Sequence, residues 1–226
     1  TSGRLWPQDP TLQNFEIVFG QKHFYLNHFW IQLGNSLMIA VAVGAISLAI
    51  ATCAAFASSR LKVRGGRTVM NLALFTYFIP AAFLAVPMYK TMAVYGLLNN
   101  RWSMILAMVT IASPYCIWVL KQASDKLPWE LDEAARIDGA GHFRIFWSII
   151  LPNVKTPLAT LALVTFLFSW NAFLWPLVIL HSPRNHVVQL AIAQSVSIAQ
   201  LPNWGETFAG ATIATVPLII LFLFLQ

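Results

Sequence analysis

The sequence has few charged residues. Only 10% of its 226 positions are Asp, Glu, Lys or Arg, whereas 58% are hydrophobic. Soluble globular domains carry about a quarter charged residues, so this chain cannot cover its surface with side chains that favour water. The shortage of charge therefore argues against a soluble domain and indicates a protein whose solvent is the lipid bilayer.

Cysteine and nucleotide-binding motifs are also scarce or absent. Cys53 and Cys116 are the only cysteines, and we interpret both as small buried side chains rather than a disulfide or a metal site. His181 and His186 lie close together without a neighbouring Cys or carboxylate, so we expect a solvated loop. The sequence has no G-x-x-x-x-G-K-[ST] motif and cannot hold the phosphates of ATP in that way.

Long stretches without charge divide the chain into hydrophobic segments. A transmembrane helix needs about 20 mostly apolar residues. We predict five spans, at residues 34–58, 69–89, 102–120, 158–180 and 207–226. The predicted fold class is therefore all-α, a polytopic transmembrane helix bundle. Residues 1–33 are predicted to form an external lead-in with interfacial segments, followed by one membrane domain over residues 34–226.

Basic residues are distributed unevenly between the loops on the two sides. Nine of the fourteen Lys and Arg residues fall in the loops at 60–67 and 121–157, and five fall elsewhere. Because Lys and Arg are enriched in cytoplasmic loops, residues 121–157 are predicted to be cytoplasmic and the N-terminus external. The net charge of +6 follows from this asymmetry, and we do not interpret it as nucleic-acid binding.

The loop at 121–157 contains a predicted helix–turn–helix. Pro128 suits the first turn of a helix. Three acidic residues follow in the first turn, where negative charge interacts favourably with the positive end of the helix dipole: Glu130, Asp132 and Glu133. Gly139 and Gly141 are predicted to end this helix. A second amphipathic helix over residues 142–150 is predicted to stop at Leu151-Pro152. An amphipathic loop on lipid headgroups is the alternative, but the acidic first helix would be repelled by anionic lipids.

The fixed positions of this loop resemble a known motif. Glu133-Ala134-Ala135, three residues, Gly139, nine residues, Ile149, one residue and Leu151-Pro152 resemble the EAA loop of binding-protein-dependent ABC importer permeases. The resemblance extends over nearly the whole chain. A second stretch, Ser169-Trp170-Asn171-x-Phe173-Leu174-Trp175-Pro176-Leu177, is similar to the carbohydrate branch of that family, the maltose-type systems.

The resemblance implies an inner-membrane transport subunit of a bacterium, without catalytic activity or a cofactor of its own. The implied partners are a second permease subunit, two ATPase subunits that bind ATP and Mg²⁺, an extracytoplasmic solute-binding protein and a sugar-like solute. The family usually has six spans in such a subunit, so we expect a further span upstream in the full protein.

The resemblance also implies roles for individual residues. Glu133 would pair with a basic residue in a cleft of the ATPase subunit, and Ala134 and Ala135 would allow close docking. Gly139 would make the turn between the two helices. Three further residues would hold the second helix against the membrane domain: Ile149, Leu151 and Pro152.

The predicted spans contain no charged side chain at depth, which argues against an ion-coupled transporter and suits a neutral solute. Polar and aromatic side chains that could line a sugar pathway are Tyr77, Ser113, Tyr115, Ser169, Trp170, Asn171 and Trp175. Interfacial anchoring and helix packing are competing roles for each of them.

The alternatives to a sugar permease are a similar permease for a glycerol phosphate, an amino acid or a peptide, and after these a secondary transporter or a membrane enzyme.

Overall fold

The computed structural model describes residues 11–23, 26–61, 63, 65–197 and 204–225. All regular secondary structure in these ranges is helical. The helices are α1 (Gln13–Phe19), α2 (Phe29–Arg60), α3 (Gly66–Phe75), α4 (Ala81–Val94), α5 (Arg101–Asp125), α6 (Glu130–Ile137), α7 (His142–Ile145), α8 (Leu151–Asn153), α9 (Lys155–Trp170), α10 (Leu174–Ile179), α11 (Val188–Ser197) and α12 (Trp204–Leu225). A 3₁₀ segment, Thr76–Phe78, follows α3, and a π-helical segment, Phe146–Ile150, joins α7 to α8.

The predicted all-α transmembrane bundle is confirmed. Helices α2, α5 and α12 are each long and apolar enough to cross a membrane. Two bent pairs pass the same test together, α3 with α4 and the α7–α8 segment with α9. The described part of the chain therefore provides three to five spans. Residues 1–10 and 24–25 of the predicted lead-in, and Gln226 of the last predicted span, lie outside the described residues.

The second predicted span, residues 69–89, is not one straight helix. The 3₁₀ segment ends at Phe78, Ile79 is extended, and Pro80 precedes the first residue of α4. Proline disfavours a helical conformation in the residue before it, which explains the break at Ile79. The chain direction changes by 108° between the two halves.

The fourth predicted span, residues 158–180, is also interrupted. Helix α9 ends at Trp170, and α10 begins only at Leu174. Pro176 lies in the first turn of α10, where its missing N–H leaves no intrahelical hydrogen bond unmade. The break places the second part of the carbohydrate-type signature on a separate short helix.

Helix α2 lies at the centre of the bundle and packs against α5, α9 and α11. Its buried face includes small residues at helical spacing: Ala40, Gly44, Ser47, Ala51 and Ala55. Small side chains let helix backbones approach closely in membranes. A Cβ atom added to Gly44 would lie 3.4 Å from the hydroxyl oxygen of Thr165 on α9. The close contact between α2 and α9 therefore depends on this row of small residues.

Polar side chains near the start of α2 hold the segment before α11. The Nε2 atom of Gln32 donates to the carbonyl of Pro183 at 3.1 Å. The Nδ2 atom of Asn35 donates to the carbonyls of Arg184 and His186, at 2.9 and 3.0 Å. These bonds satisfy carbonyls that lie outside helices, so the segment is fixed to α2.

Two predictions about single side chains are partly wrong. Cys116 is buried as predicted, but Cys53 is exposed on the outside of the chain. His181 is exposed as predicted, but His186 is buried. Loss of hydration on burial lowers the pKa of His186, and hydrogen bonds to backbone groups oppose this shift only in part. In the described part of the chain, no group of three His, Cys, Asp or Glu residues could hold a metal.

Candidate coupling site

The predicted helix–turn–helix is present, and it lies beside the ends of α2 and α5. Helix α6 begins at Glu130, and its first turn holds all three predicted acidic residues. Trp129 is the N-cap, so Pro128 precedes the helix rather than lying in its first turn. Trp129 has helical backbone angles and gives no side-chain cap, which leaves the acidic residues to complement the helix dipole.

Gly139 ends α6 in a Schellman turn. Its φ angle is +76°, in the left-handed region that favours glycine. The N–H of Ala140 donates to the carbonyl of Ala135 at 2.9 Å, and the N–H of Gly139 donates to that of Arg136 at 3.0 Å. Ala135 and Ala140 also pack against the same hydrophobic cluster, the contact that usually accompanies this motif. The predicted role of Gly139 as the turn residue fits this geometry.

A paired substitution tests the turn. Gly139→Ala is expected to destabilise the loop by about 1–2 kcal/mol, because a Cβ atom makes the left-handed conformation unfavourable. Gly141→Ala is the control, since its φ angle is −74° and neither glycine has an atom within 4 Å of an added Cβ. Thermal unfolding of the purified protein should show a lower midpoint for Gly139→Ala only. Equal midpoints would contradict the requirement for glycine.

The second helix of the site is longer than predicted. It runs without interruption from His142 through Pro152 to Asn153, and the chain then bends by 73° into α9. Pro152 has no N–H that could donate to the carbonyl of Ser148. The turn before it is π-helical, with hydrogen bonds between residues five apart, so the helix continues past the proline. Pro152 therefore lies within the helix, and Val154 marks its end.

A hydrophobic cluster fixes both helices of the site to the end of α2. Its buried members are Phe56 of α2 with Ile145 and Ile150 of the second helix. Ala135 and Ile149 pack against it and are partly buried. Ile149 thus packs toward the end of α2, and its anchoring role stays a prediction. Leu151 is half-buried and lines a small cavity against Phe56, whereas Pro152 is exposed.

The opposite face of the helix–turn–helix is exposed. Glu133 and Ala134 face outward, and Ile137, one turn later, is 87% exposed. Phe143 is 76% exposed, and its ring lies 6.2 Å from that of Trp147. The two predicted docking alanines therefore differ, since Ala134 faces outward and Ala135 inward. An acidic group beside apolar side chains suits a protein cleft that holds a cation and apolar walls.

The sequence interpretation missed a buried ion pair behind this face. Arg60 ends α2, and its Nη1 atom lies 3.1 Å from Oδ2 of Asp132 in the first turn of α6. The two side chains are only 3% and 2% exposed. The sequence places Asp132 beside Glu130 and Glu133 at the helix start, but its side chain is buried and faces inward. The available signal was an arginine at the end of a long apolar helix, which needs a carboxylate if it is buried.

Two of the predicted solute-pathway residues lie together, and a third is on the same helix as one of them. Tyr77 and Tyr115 have ring centroids 6.3 Å apart, and both are exposed. The hydroxyl of Tyr77 donates to the carbonyl of Ile111 at 2.7 Å. Ser113 is on the same helix as Tyr115, and its hydroxyl donates to Val109 at 2.7 Å. Tyr77 thus joins the broken second span to α5.

The other four predicted residues are divided between two parts of the core. Trp170 is fully buried in one hydrophobic cluster, and Trp175 is buried in another. Ser169 is buried, whereas Asn171 is exposed and donates from Nδ2 to the carbonyl of Leu167 at 2.9 Å. The seven residues do not form one cluster within this chain. Their contact with a solute stays a prediction.

Sequence comparison finds relatives among membrane transport subunits. Residues 47–226 match the profile of a family described as binding-protein-dependent transport system inner membrane component. The lactose transport system permease protein of Rhizobium radiobacter is 31% identical over 88% of this chain and 70% of its own length. The maltodextrin transport system permease protein of Bacillus subtilis (strain 168) is 33% identical over 96% of this chain and 76% of its own.

Comparison with solved structures supports the fold. A bacterial ABC transporter involved in the import of the acidic polysaccharide alginate contains a chain that superposes with a TM-score of 0.83. The two chains are 24% identical, and the superposition covers all of this chain and 82% of the other chain. An inward-facing methionine ABC transporter superposes with a TM-score of 0.70 at 17% identity, over 88% of this chain and 92% of its own. At these identities the similarity concerns the arrangement of the helices.

Proposed function

Because the chain belongs to the family of inner membrane components of binding-protein-dependent transport systems, we propose that it forms half of a translocation pathway for a sugar or oligosaccharide. The chain is an ABC importer permease subunit, and its curated relatives include sugar permeases. In this proposal the energy comes from a separate ATPase subunit, which docks on the helix–turn–helix of residues 130–153. The second half of the pathway is a second permease subunit.

The exposed face of α6 is the observation that supports ATPase docking best. Glu133 and Ile137 lie one turn apart on that face, and the cluster around Phe56 holds its other side. A small amphipathic unit with one side anchored and the other free is suited to receive a partner subunit. The charge asymmetry of the loops supports a cytoplasmic position for this face, where ATP is available.

The relatives support a carbohydrate as the solute. These relatives are named as transport system permease proteins for lactose, maltodextrin and arabinooligosaccharides. The uncharged spans suit such a neutral solute, since no ion-coupling group is present in the predicted spans. Tyr77, Tyr115 and Asn171 have exposed side chains that can stack on or hydrogen-bond to a sugar. A solute-binding protein outside the membrane would deliver the sugar to them.

Reconstitution with defined partners tests the proposal. The chain, its partner permease, the ATPase and the binding protein are placed in liposomes with ATP and Mg²⁺. We expect uptake of a neutral disaccharide or short oligosaccharide only when ATP and the ATPase are both present. Uptake without the ATPase would contradict the energy source, because it would show a channel or a secondary transporter.

Competition experiments separate the possible solutes. Unlabelled oligosaccharides of two to five sugar units, a glycerol phosphate, an amino acid and a short peptide are added in turn to the uptake assay. We expect only the saccharides to compete with the labelled sugar and to raise ATP hydrolysis. Competition by the amino acid, the peptide or the glycerol phosphate with no effect of any saccharide would contradict a sugar pathway while leaving the ATPase coupling intact.

A further inference from the structure

The last turn of α2 is bonded to three other parts of the chain through one side chain. The guanidinium of Arg60 contacts the carboxylate of Asp132 on α6 at 3.1 Å. Its Nη2 atom donates to the carbonyls of Ser124 and Leu127, at 3.1 and 3.0 Å. Ser124 lies in the last turn of α5, and its carbonyl also accepts from the N–H of Leu127 at 3.2 Å. Arg60 therefore joins α2, α5 and α6.

The surroundings of Arg60 leave it little freedom to move. The guanidinium carbon lies 4.8 Å from the ring centroid of Trp129, the residue before α6. The hydroxyls of Ser59 and Ser124 lie 2.9 Å apart, which adds a second bond between α2 and α5. Arg60 is 5% exposed and Asp132 is 2% exposed, so water does not compete for these contacts. A buried charge at the end of α2 thus contacts the first turn of α6.

The same turn of α2 holds the second helix of the site. Phe56 precedes Arg60 by one helical turn, and its ring centroid lies 5.3 Å from that of Phe146, edge to face. One turn of α2 therefore contacts both helices of the helix–turn–helix. By contrast, the covalent connection from α8 to α9 passes through the 73° bend at Val154. The helix–turn–helix therefore contacts the bundle directly through side chains of α2, whereas its chain connection to α9 is bent.

We propose that Arg60 is a positioning residue that, through Asp132, fixes α6 to the last turn of α2, so that a displacement of α6 moves α2 and α5 with it. This inference rests on the proposed docking of an ATPase on the exposed face of α6. Since α2 also packs against α9 and α11, a displacement of its last turn would also displace the helices packed against it. Without the pair, the first turn of α6 loses its buried ionic contact with α2, and α6 can shift more freely relative to that helix.

The test compares solute moved per ATP hydrolysed in the reconstituted complex. Asp132→Asn keeps the side-chain shape and removes the charge, and Arg60→Lys keeps the charge and removes the fork of donors. We expect both variants to co-purify with the ATPase and to hydrolyse ATP, with solute moved per ATP lower by about tenfold, which is within the range that residues along a coupling route contribute. The double variant should be no worse than either single variant, because both remove the same link.

Asp125→Asn is the matched control. Asp125 lies at the same end of the bundle and forms an ion pair with Lys121, but its side chain is 42% exposed. Exposed pairs contribute little, so solute moved per ATP should equal that of the wild type. A loss in this control equal to that in Asp132→Asn would show a general charge effect and would overturn the proposal.

Other outcomes also decide the question. Normal transport per ATP in Asp132→Asn and Arg60→Lys would overturn the positioning role, as would losses that multiply in the double variant. If Asp132→Asn does not assemble, Arg60→Lys decides alone by the same measure. If neither assembles, the pair serves folding and the positioning role is overturned. A wild-type complex without ATP-driven uptake would contradict the proposed function itself, which distinguishes the two failures.

Discussion

Replacing Glu133 with lysine is expected to abolish ATP-driven uptake while the chain still inserts in the membrane. Glu133 is exposed in the first turn of α6, beside the outward-facing Ala134. Reversal of its charge would place two cations together if the ATPase cleft is basic, and like charges across an interface cost several kcal/mol. Each 1.4 kcal/mol changes an equilibrium tenfold, so we expect uptake to fall by about 100-fold or more.

Glu130→Lys is the matched control for this substitution. Glu130 is also exposed in the first turn of α6, so the two variants disturb the helix dipole alike, by about 0.3–1 kcal/mol. Uptake and co-purification of the ATPase are measured for both, together with the amount of chain in the membrane. Loss in Glu133→Lys only would support docking through Glu133. Normal uptake in Glu133→Lys would remove the basis for assigning this loop to ATPase coupling.

Replacing Trp170 with alanine is expected to give the largest loss of stability. Trp170 is fully buried, and its ring is stacked on Phe166 with centroids 5.4 Å apart. Removal of a buried tryptophan costs about 3–5 kcal/mol, through lost contacts and the cavity left behind. Trp102→Ala is the control, since Trp102 is 60% exposed. Denaturant unfolding in detergent micelles should show a large loss for Trp170→Ala and little change for Trp102→Ala.

A further variant separates packing from solute contact at the same position. Trp170→Phe keeps most of the apolar ring, and the indole N–H that it removes has no hydrogen-bond partner among the described residues. We therefore expect stability and the KM for sugar uptake to stay near those of the wild type. A raised KM with unchanged stability would instead support the prediction that Trp170 lines the solute pathway.

The sequence predicted the elements that depend on composition and local pattern. The five apolar segments follow from the absence of charge, and the turn at Gly139 follows from its need for a positive φ angle. A kink at Pro80 is predicted from the sequence, because proline disfavours a helical conformation in the residue before it, but hydropathy does not show that the helix stops completely at Ile79. The end of the second coupling helix was misplaced because the π register accommodates Pro152.

The candidate site was predicted in its outline but not in its anchoring. The resemblance of Glu133-Ala134-Ala135 to a known motif marks the loop, and spacing along α6 adds only which residues share a helix face. The same spacing does not show which face packs inward, because that depends on distant residues such as Phe56 and Arg60. The ion pair joins residues far apart in the sequence, so neither position indicated its partner.

The polar contacts at the two ends of α2 have a consequence for the order of membrane insertion. The carbonyls bound by Asn35 lie 149 and 151 residues later in the sequence, and the carbonyls bound by Arg60 lie 64 and 67 residues later. During synthesis α2 therefore enters the membrane well before these partners exist. Both polar groups lie near helix ends, where headgroups and water can solvate them in the meantime, and the middle of α2 holds mainly small and apolar residues. The helix can thus insert alone and acquire its permanent bonds as each later segment arrives.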